Sequence, residues 1–327
     1  DPRKVVFSGV GKRDDEIAFA LEAKVRVLNV ESAPELGRIS VVARRLGVRA
    51  PIALRVNPDV DPKTHPYIST GLRDNKFGVS VGEARRLYAL AAKDPALEVK
   101  GIACHIGSQI TTLRPFLDAV ARVLALAKDL ERADIRISHL DVGGGLGIRY
   151  KDESPPHPDE YGAAIRRALG RFRGEVLLEP GRVLVGNAGI LLTQVLYVKR
   201  SGPKTFVVVD AAMNDLVRPS FYEAHHEIEP VGPSAGAREI VADVVGPVCE
   251  SSDFLAKGRR MPEPRPGDLL AVRSAGAYGF AMSSNYNARP RSAEVLVDGD
   301  RALLARRRET YADLVRGERA VSPPLRG

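Results

Sequence analysis

The stretch ISHLDVGGGLG, Ile137–Gly147, is an apolar run that stops at three consecutive glycines. Its first half is too short for a helix and rich enough in apolar residues for a buried strand. Gly143, Gly144 and Gly145 then leave backbone N–H groups bare, so that an anion can approach them without side chains in the way. The same design, a short apolar run ending in a polar or glycine-rich loop, recurs along the first half of the chain. It appears in VVFSGVG from Val5, VRVLNVES from Val25, PIALRVNP from Pro51, VKGIACHIGS from Val99 and EVLLEPGR from Glu175. Between these six runs lie stretches of helical period, including DDEIAFALEA from Asp14, PELGRISVVARRLG from Pro34 and FLDAVARVLALAKDLERA from Phe116. Asp14 and Asp118 read as helix starts. Alternation of strand and helix predicts a parallel sheet wrapped by helices.

From about Asn187 the pattern changes to strand-like runs and turns: GILLTQVLYVKR, KTFVVVDAAM, REIVADVVGPV, GDLLAVRSAGAYG and AEVLVDGD. The expected organisation is therefore a β/α domain over 1–186 followed by a β-rich domain over 187–327. Neither GxGxxG spacing nor a third glycine after SGVGKRD is present, which disfavours a dinucleotide fold. The commonest parallel barrel closes with eight strands. Six runs then imply that two further strand–helix units, of about 30 residues each, precede Asp1 in the intact protein.

Composition narrows the function. At 44% hydrophobic and 28% charged, the 327 residues describe a globular chain rather than a disordered one. The net charge of +8 comes from arginines scattered on helical stretches, such as Arg44-Arg45, Arg85-Arg86 and Arg166-Arg167. With no basic run interleaved with aromatics, nucleic acid is not an expected partner. No apolar run nears the roughly 20 residues of a membrane helix, so no membrane association is expected. Cys104 and Cys249 are the only cysteines and belong to no CxxC pair, which fits a reducing cytoplasm. The histidines show no metal-binding spacing, and no metal is expected.

In a parallel barrel, chemistry gathers at the C-terminal ends of the strands. The unusual residues fall there: Asn29 to Glu31, Arg55 to Asn57, His105 with Ser108, the glycines from Gly143, and Glu179 to Arg182. In the second half, VVGPVCESSDF sets Cys249 directly beside Glu250. This is either a reactive pair or a packed thiol next to a surface charge.

Taken in order, GLRDNKFGV (Gly71), HIGSQI (His105), LDVGGGLGI (Leu140), LEPGR (Leu178), MNDLVRPSFY (Met213), GPVCESSDF (Gly246) and AGAYGFAMSSNYN (Ala275) resemble the diaminopimelate decarboxylases. These are PLP-dependent enzymes of the alanine-racemase-like barrel group, and the likeness covers essentially the whole chain. It implies a (β/α)8 barrel that holds pyridoxal 5'-phosphate, followed by a β domain, in a homodimer with active sites at the interface. The implied reaction converts meso-2,6-diaminopimelate into L-lysine and CO2.

The resemblance also assigns roles. Glu179 faces the pyridine nitrogen, where alanine racemases place an arginine, and His105 stacks on the cofactor ring. Ser108, Gly144, Gly145, Pro180, Gly181 and Arg182 line the cofactor and its phosphate. Arg182, Arg218 and Tyr222 take the distal carboxylate, Glu250 the distal amine, and Tyr278 touches both cofactor and substrate. Cys249 supplies a proton; a thiol with an ordinary pKa of about 8.5 is mostly protonated near neutral pH. Two arginines suit diaminopimelate better than ornithine or lysine, whose distal ends carry only an amine. The alternatives are a decarboxylase of another amino acid or of carboxynorspermidine, and a non-catalytic relative that dimerises with an active enzyme.

One departure stands out. The family anchors its cofactor on a lysine in a strand near the N-terminus, and nothing here matches that strand. Lys12, in GVGK, corresponds to a later barrel unit and is not expected to form the Schiff base. The chain is accordingly expected to be the C-terminal part of such an enzyme, inactive alone and with exposed strand edges at Val5 and Glu175.

Overall fold

The computed structural model describes residues 1–61, 76–232 and 236–320. They divide into two compact units, one of residues 1–149 and 153–183, the other of residues 150–152 and 184 onward. The opening of the GLRDNKFGV stretch, residues 71–75, lies outside the described residues.

All six expected strands of the first unit form: β1 (Val6–Phe7), β2 (Val27–Val30), β3 (Ala50–Asn57), β5 (Leu97–Ala103), β6 (His139–Asp141) and β7 (Glu175–Leu177). Each pairs in parallel with the next, with Leu28 opposite Ile52, Ile102 opposite Leu140 and Leu140 opposite Val176. A two-residue strand that the sequence reading missed, β4 (Val79–Ser80), pairs with β3 off the main order. Spatial order follows chain order without the reversal that defines a doubly wound sheet, so the strands wind as a (β/α) barrel does. β1 and β7 stand at the two ends of this order.

Helices α1 (Asp14–Glu22), α2 (Ala33–Leu46), α3 (Val81–Ala91), α4 (Arg114–Arg132) and α5 (Pro158–Leu169) connect the strands. The start of α2 is local chemistry: the Ser32 hydroxyl accepts the Glu35 N–H, and the helix ends at Gly47 with φ 67°. The expected start at Asp118 is corrected. α4 begins one turn earlier with Pro115 in its first turn, where a missing N–H costs nothing, and the Asp118 carboxylate accepts from Arg114 Nε at 2.9 Å. Residues at helical spacing on α4, from Phe116 through Val120 and Val123 to Leu130, form its buried stripe.

The second unit is a six-stranded sheet of β8 (Leu191–Ser201), β9 (Lys204–Val209), β10 (Ile228–Pro230), β11 (Glu239–Val245), β12 (Phe254–Pro262) and β13 (Leu269–Val272), ordered β10-β13-β8-β9-β11-β12. Pairing is antiparallel except between β9 and β11. In β11 the alternate residues Ile240, Ala242 and Val244 are buried, joining Val195, Val207, Leu255 and Val272 in one core. A separate hairpin, β14 (Glu294–Asp298) with β15 (Arg301–Arg306), follows. Among the described residues no helix is long and apolar enough to cross a membrane.

Candidate active-site residues

In the first unit the expected residues converge because the loops after β5, β6 and β7 interlock. A Cβ on Gly143, whose φ is +70°, would stand 2.4 Å from the Cys104 carbonyl oxygen. One on Gly144 would stand 2.1 Å from the Glu179 carbonyl oxygen, and one on Gly145 2.2 Å from that of Gly107. Only glycine allows this approach, so the three glycines join the HIGS loop to the EPGR loop. Ile110 N–H donates to the Gly145 carbonyl at 2.9 Å, and Gly147 N–H returns to Ile110 at 3.0 Å.

His105 Nδ1 accepts the Gly144 N–H at 3.2 Å, so Nε2 carries the ring hydrogen. Burial and the nearby Arg55 charge push its pKa down to about 4, keeping the ring neutral. Ser108 Oγ accepts from Arg182 Nη2 at 3.0 Å, and Arg182, buried to 6% exposure, opens the short helix α6 (Arg182–Val185). Pro180 and Gly181 lie on the loop between Glu179 and that helix.

Glu179 keeps solvent exposure as a residue, but its carboxyl is turned inward. Its Oε1 accepts from Ser8 Oγ at 3.2 Å. Ser8 accepts from Asn29 Nδ2 at 3.1 Å, and the same amide donates to Asp141 Oδ2 at 3.1 Å. The other Asp141 oxygen accepts the Gly143 N–H at 2.9 Å. Asp141 is fully buried. Burial and the Asp141 charge push the Glu179 carboxyl from its ordinary 4.5 to about 7. Burial likewise pushes Asp141 up.

The folded protein therefore holds the Glu179 proton more tightly than the unfolded chain does. The stability this lends is complete below pH 4.5 and is lost as pH rises through about 7. Glu179→Gln is expected to flatten that decline in thermal unfolding of the cofactor-free protein, and parallel pH profiles for variant and parent would contradict it.

Lys12 is closed to covalent chemistry. Its three hydrogens go to the Gly9 carbonyl at 2.8 Å, the Asn29 carbonyl at 2.6 Å and Glu35 Oε1 at 2.6 Å, with the side chain 1% exposed. The other Glu35 oxygen accepts the Glu31 N–H. Removing one member of a buried ion pair leaves its partner's charge uncompensated. Lys12→Met should destabilise the protein by about 3 kcal/mol in urea unfolding, and a loss below about 1 kcal/mol would show the pair to be dispensable.

In the second unit, Arg218 opens the short helix α7 (Arg218–Tyr222) and is 6% exposed. Its guanidinium carbon lies 4.3 Å from the centre of the Tyr150 ring, and Nη1 is 2.7 Å from His226 Nε2. Tyr222 packs edge-on against Phe221 with ring centres 4.8 Å apart. Tyr278 is 41% exposed at φ 57°, a strained backbone for a tyrosine, so it is not a core residue.

Cys249 is exposed rather than packed, whereas Cys104 is buried, and burial pushes its thiol pKa up to about 12. The turn that carries Cys249 is fixed by Asp253, which is 4% exposed and accepts the Val248 and Met213 N–H groups at 2.7 Å each. Glu250 is also exposed and accepts from Ser252 Oγ and, at 2.7 Å, from Tyr286 Oη. These donors lower its pKa, holding it ionised.

Sequence reasoning overlooked Asp141, Tyr150, His226, Asp253 and Tyr286. The aspartate inside LDVGGG was the one available signal, a charge in the middle of an apolar strand.

The family model described as pyridoxal-dependent decarboxylase, pyridoxal binding domain, matches residues 1–186. The diaminopimelate decarboxylase of Vibrio cholerae is 56% identical over 315 residues, 96% of this chain and 75% of the relative. The crystal structure of diaminopimelate decarboxylase from Helicobacter pylori complexed with L-lysine superimposes with a TM-score of 0.93 at 45% identity, covering 96% of this chain and 78% of that one. The enzyme from M. jannaschii in co-complex with L-lysine gives 0.92 at 40% identity, covering 99% and 75%.

Proposed function

The chain belongs to the pyridoxal-dependent diaminopimelate decarboxylases, and from that membership we infer that it converts meso-2,6-diaminopimelate into L-lysine and CO2 with pyridoxal 5'-phosphate as cofactor. The first unit's residues fit that cofactor. Glu179 and Asp141 form a pair of inward carboxyls whose raised pKa values call for a cationic N–H, which a protonated pyridine nitrogen offers. His105 presents a neutral flat ring, and the glycines from Gly143 leave backbone donors uncovered for a phosphate.

Bound pyridoxal phosphate supplies an electron sink for the pair left behind when CO2 departs. The chain's own residues do the rest. Glu179 would keep the pyridine nitrogen protonated, and His105 would serve the ring. Ser108, Gly144, Gly145, Pro180 and Gly181, with Arg182 bonded to Ser108, would hold the phosphate end. By the family's pattern Arg218, Tyr222 and Arg182 would take the carboxylate that stays, Glu250 the distal ammonium, and Tyr278 would touch both cofactor and substrate. The Cys249 thiol delivers a proton to the carbon that has lost CO2. In this reading the protein works in the cytoplasm as a homodimer, and the exposure of Cys249 and Glu250 suits residues that serve a second copy's site.

The observation that carries the substrate choice is Arg218. A guanidinium at 6% exposure, held between an aromatic face and an imidazole, favours a carboxylate ligand. Substrates with only a distal amine offer that guanidinium no carboxylate. The decisive experiment gives the full-length, PLP-loaded protein meso-diaminopimelate and measures lysine and CO2. Equal release of the two is expected, and no CO2 from diaminopimelate would refute the assignment.

A further inference from the structure

We propose that His226 is a positioning residue that fixes the direction of the Arg218 guanidinium, and so sets the preference for ligands that keep a distal carboxylate. The proposal rests on the reading that Arg218 takes that carboxylate.

His226 has no exposed surface. Its Nδ1 is 2.8 Å from the Arg273 carbonyl oxygen, which can only accept, so Nδ1 carries the hydrogen. A neutral imidazole has one N–H, and Nε2 therefore offers its lone pair to Arg218 Nη1 at 2.7 Å. The ring cannot slide away. Tyr150 meets it edge-on with centres 5.3 Å apart and lies under the guanidinium at 4.3 Å. Arg259 Nη2 donates to the His226 carbonyl at 2.8 Å, which fixes the main chain, and also contacts His225 Nδ1 at 3.2 Å.

A guanidinium is a rigid plane, so tying one N–H and one face determines where all five donors point. A carboxylate met by two parallel N–H bonds needs that alignment. Loss of the imidazole removes one of the ties that set this alignment, and the extra ordering that binding then requires is worth roughly tenfold in affinity.

The test compares two ligands of the full-length, PLP-loaded protein by calorimetry. L-Lysine retains the carboxylate in question, and cadaverine has none. His226→Leu removes the acceptor and should weaken L-lysine roughly tenfold while leaving cadaverine within about twofold. His226→Gln restores an acceptor and should recover most of the loss. If both ligands weaken together, or if L-lysine binding is unchanged in His226→Leu, the proposal is overturned.

Arg218→Met, measured alongside, separates the two levels of the argument. If it fails to discriminate the ligands, the reading of Arg218 falls, and the His226 proposal with it. If it discriminates and His226→Leu does not, only the positioning role is lost. Should His226→Leu not fold, imidazole nitrogen NMR of the parent protein decides: the neutral Nδ1–H tautomer is expected, and an imidazolium or the Nε2–H tautomer overturns the proposal.

Discussion

Cys249→Ala lowers kcat for diaminopimelate by roughly 10²- to 10⁴-fold, the range a positioned proton donor contributes. KM should change little, because the substitution removes one sulfur and leaves the turn intact. That turn depends on the Asp253 carboxylate and its two backbone partners, not on the thiol. Gly246 is fixed in the same way, since a Cβ there would stand 2.5 Å from Asp253 Oδ2. The thiol is thus presented outward by a rigid support. Steady-state lysine formation is the measurement, and a kcat within tenfold of the parent would remove Cys249 from the proton-delivery role.

Arg218→Met should reduce kcat/KM for diaminopimelate by about 30- to 10³-fold, equivalent to roughly 2–4 kcal/mol for one partner of a buried charged contact. Methionine keeps much of the side-chain length against Tyr150, so lost charge rather than lost packing dominates. The effect should be selective: binding of cadaverine, which has no carboxylate, should weaken far less. Equal losses for diaminopimelate and cadaverine would count against recognition of the distal carboxylate by Arg218.

The parallel architecture was legible because each strand of the first unit is a short apolar run that ends in glycine or a polar pair. Three antiparallel strands, β10, β12 and β15, were not read from the sequence. β12, FLAKGRRMP, mixes charged residues into its alternation and pairs with β11 through register shifts, which break the period of two. β10 lies in the polar stretch HHEIEPVGP, where no apolar run marks it. Helix α4 was placed late because Asp118 resembles a cap, although Pro115 already marks the first turn.

The site divides similarly. His105, Ser108, Glu179 and Arg182 were visible as polar residues at strand ends, where a barrel directs them toward one mouth. Asp141 acts through Asn29, 112 positions away in sequence, and His226 is tied to the Arg273 carbonyl 47 positions away. Such partners have no spacing rule. Only the fold brings them together, so local pattern could not reveal them.

The contact of Gly144 with the Glu179 carbonyl bears on how this protein can change over time. With no room for even a methyl group between them, the glycine loop and the EPGR loop can drift only in concert, and a substitution in one needs a matching one in the other. The two loops therefore resist stepwise revision, since neither can change its path without the other.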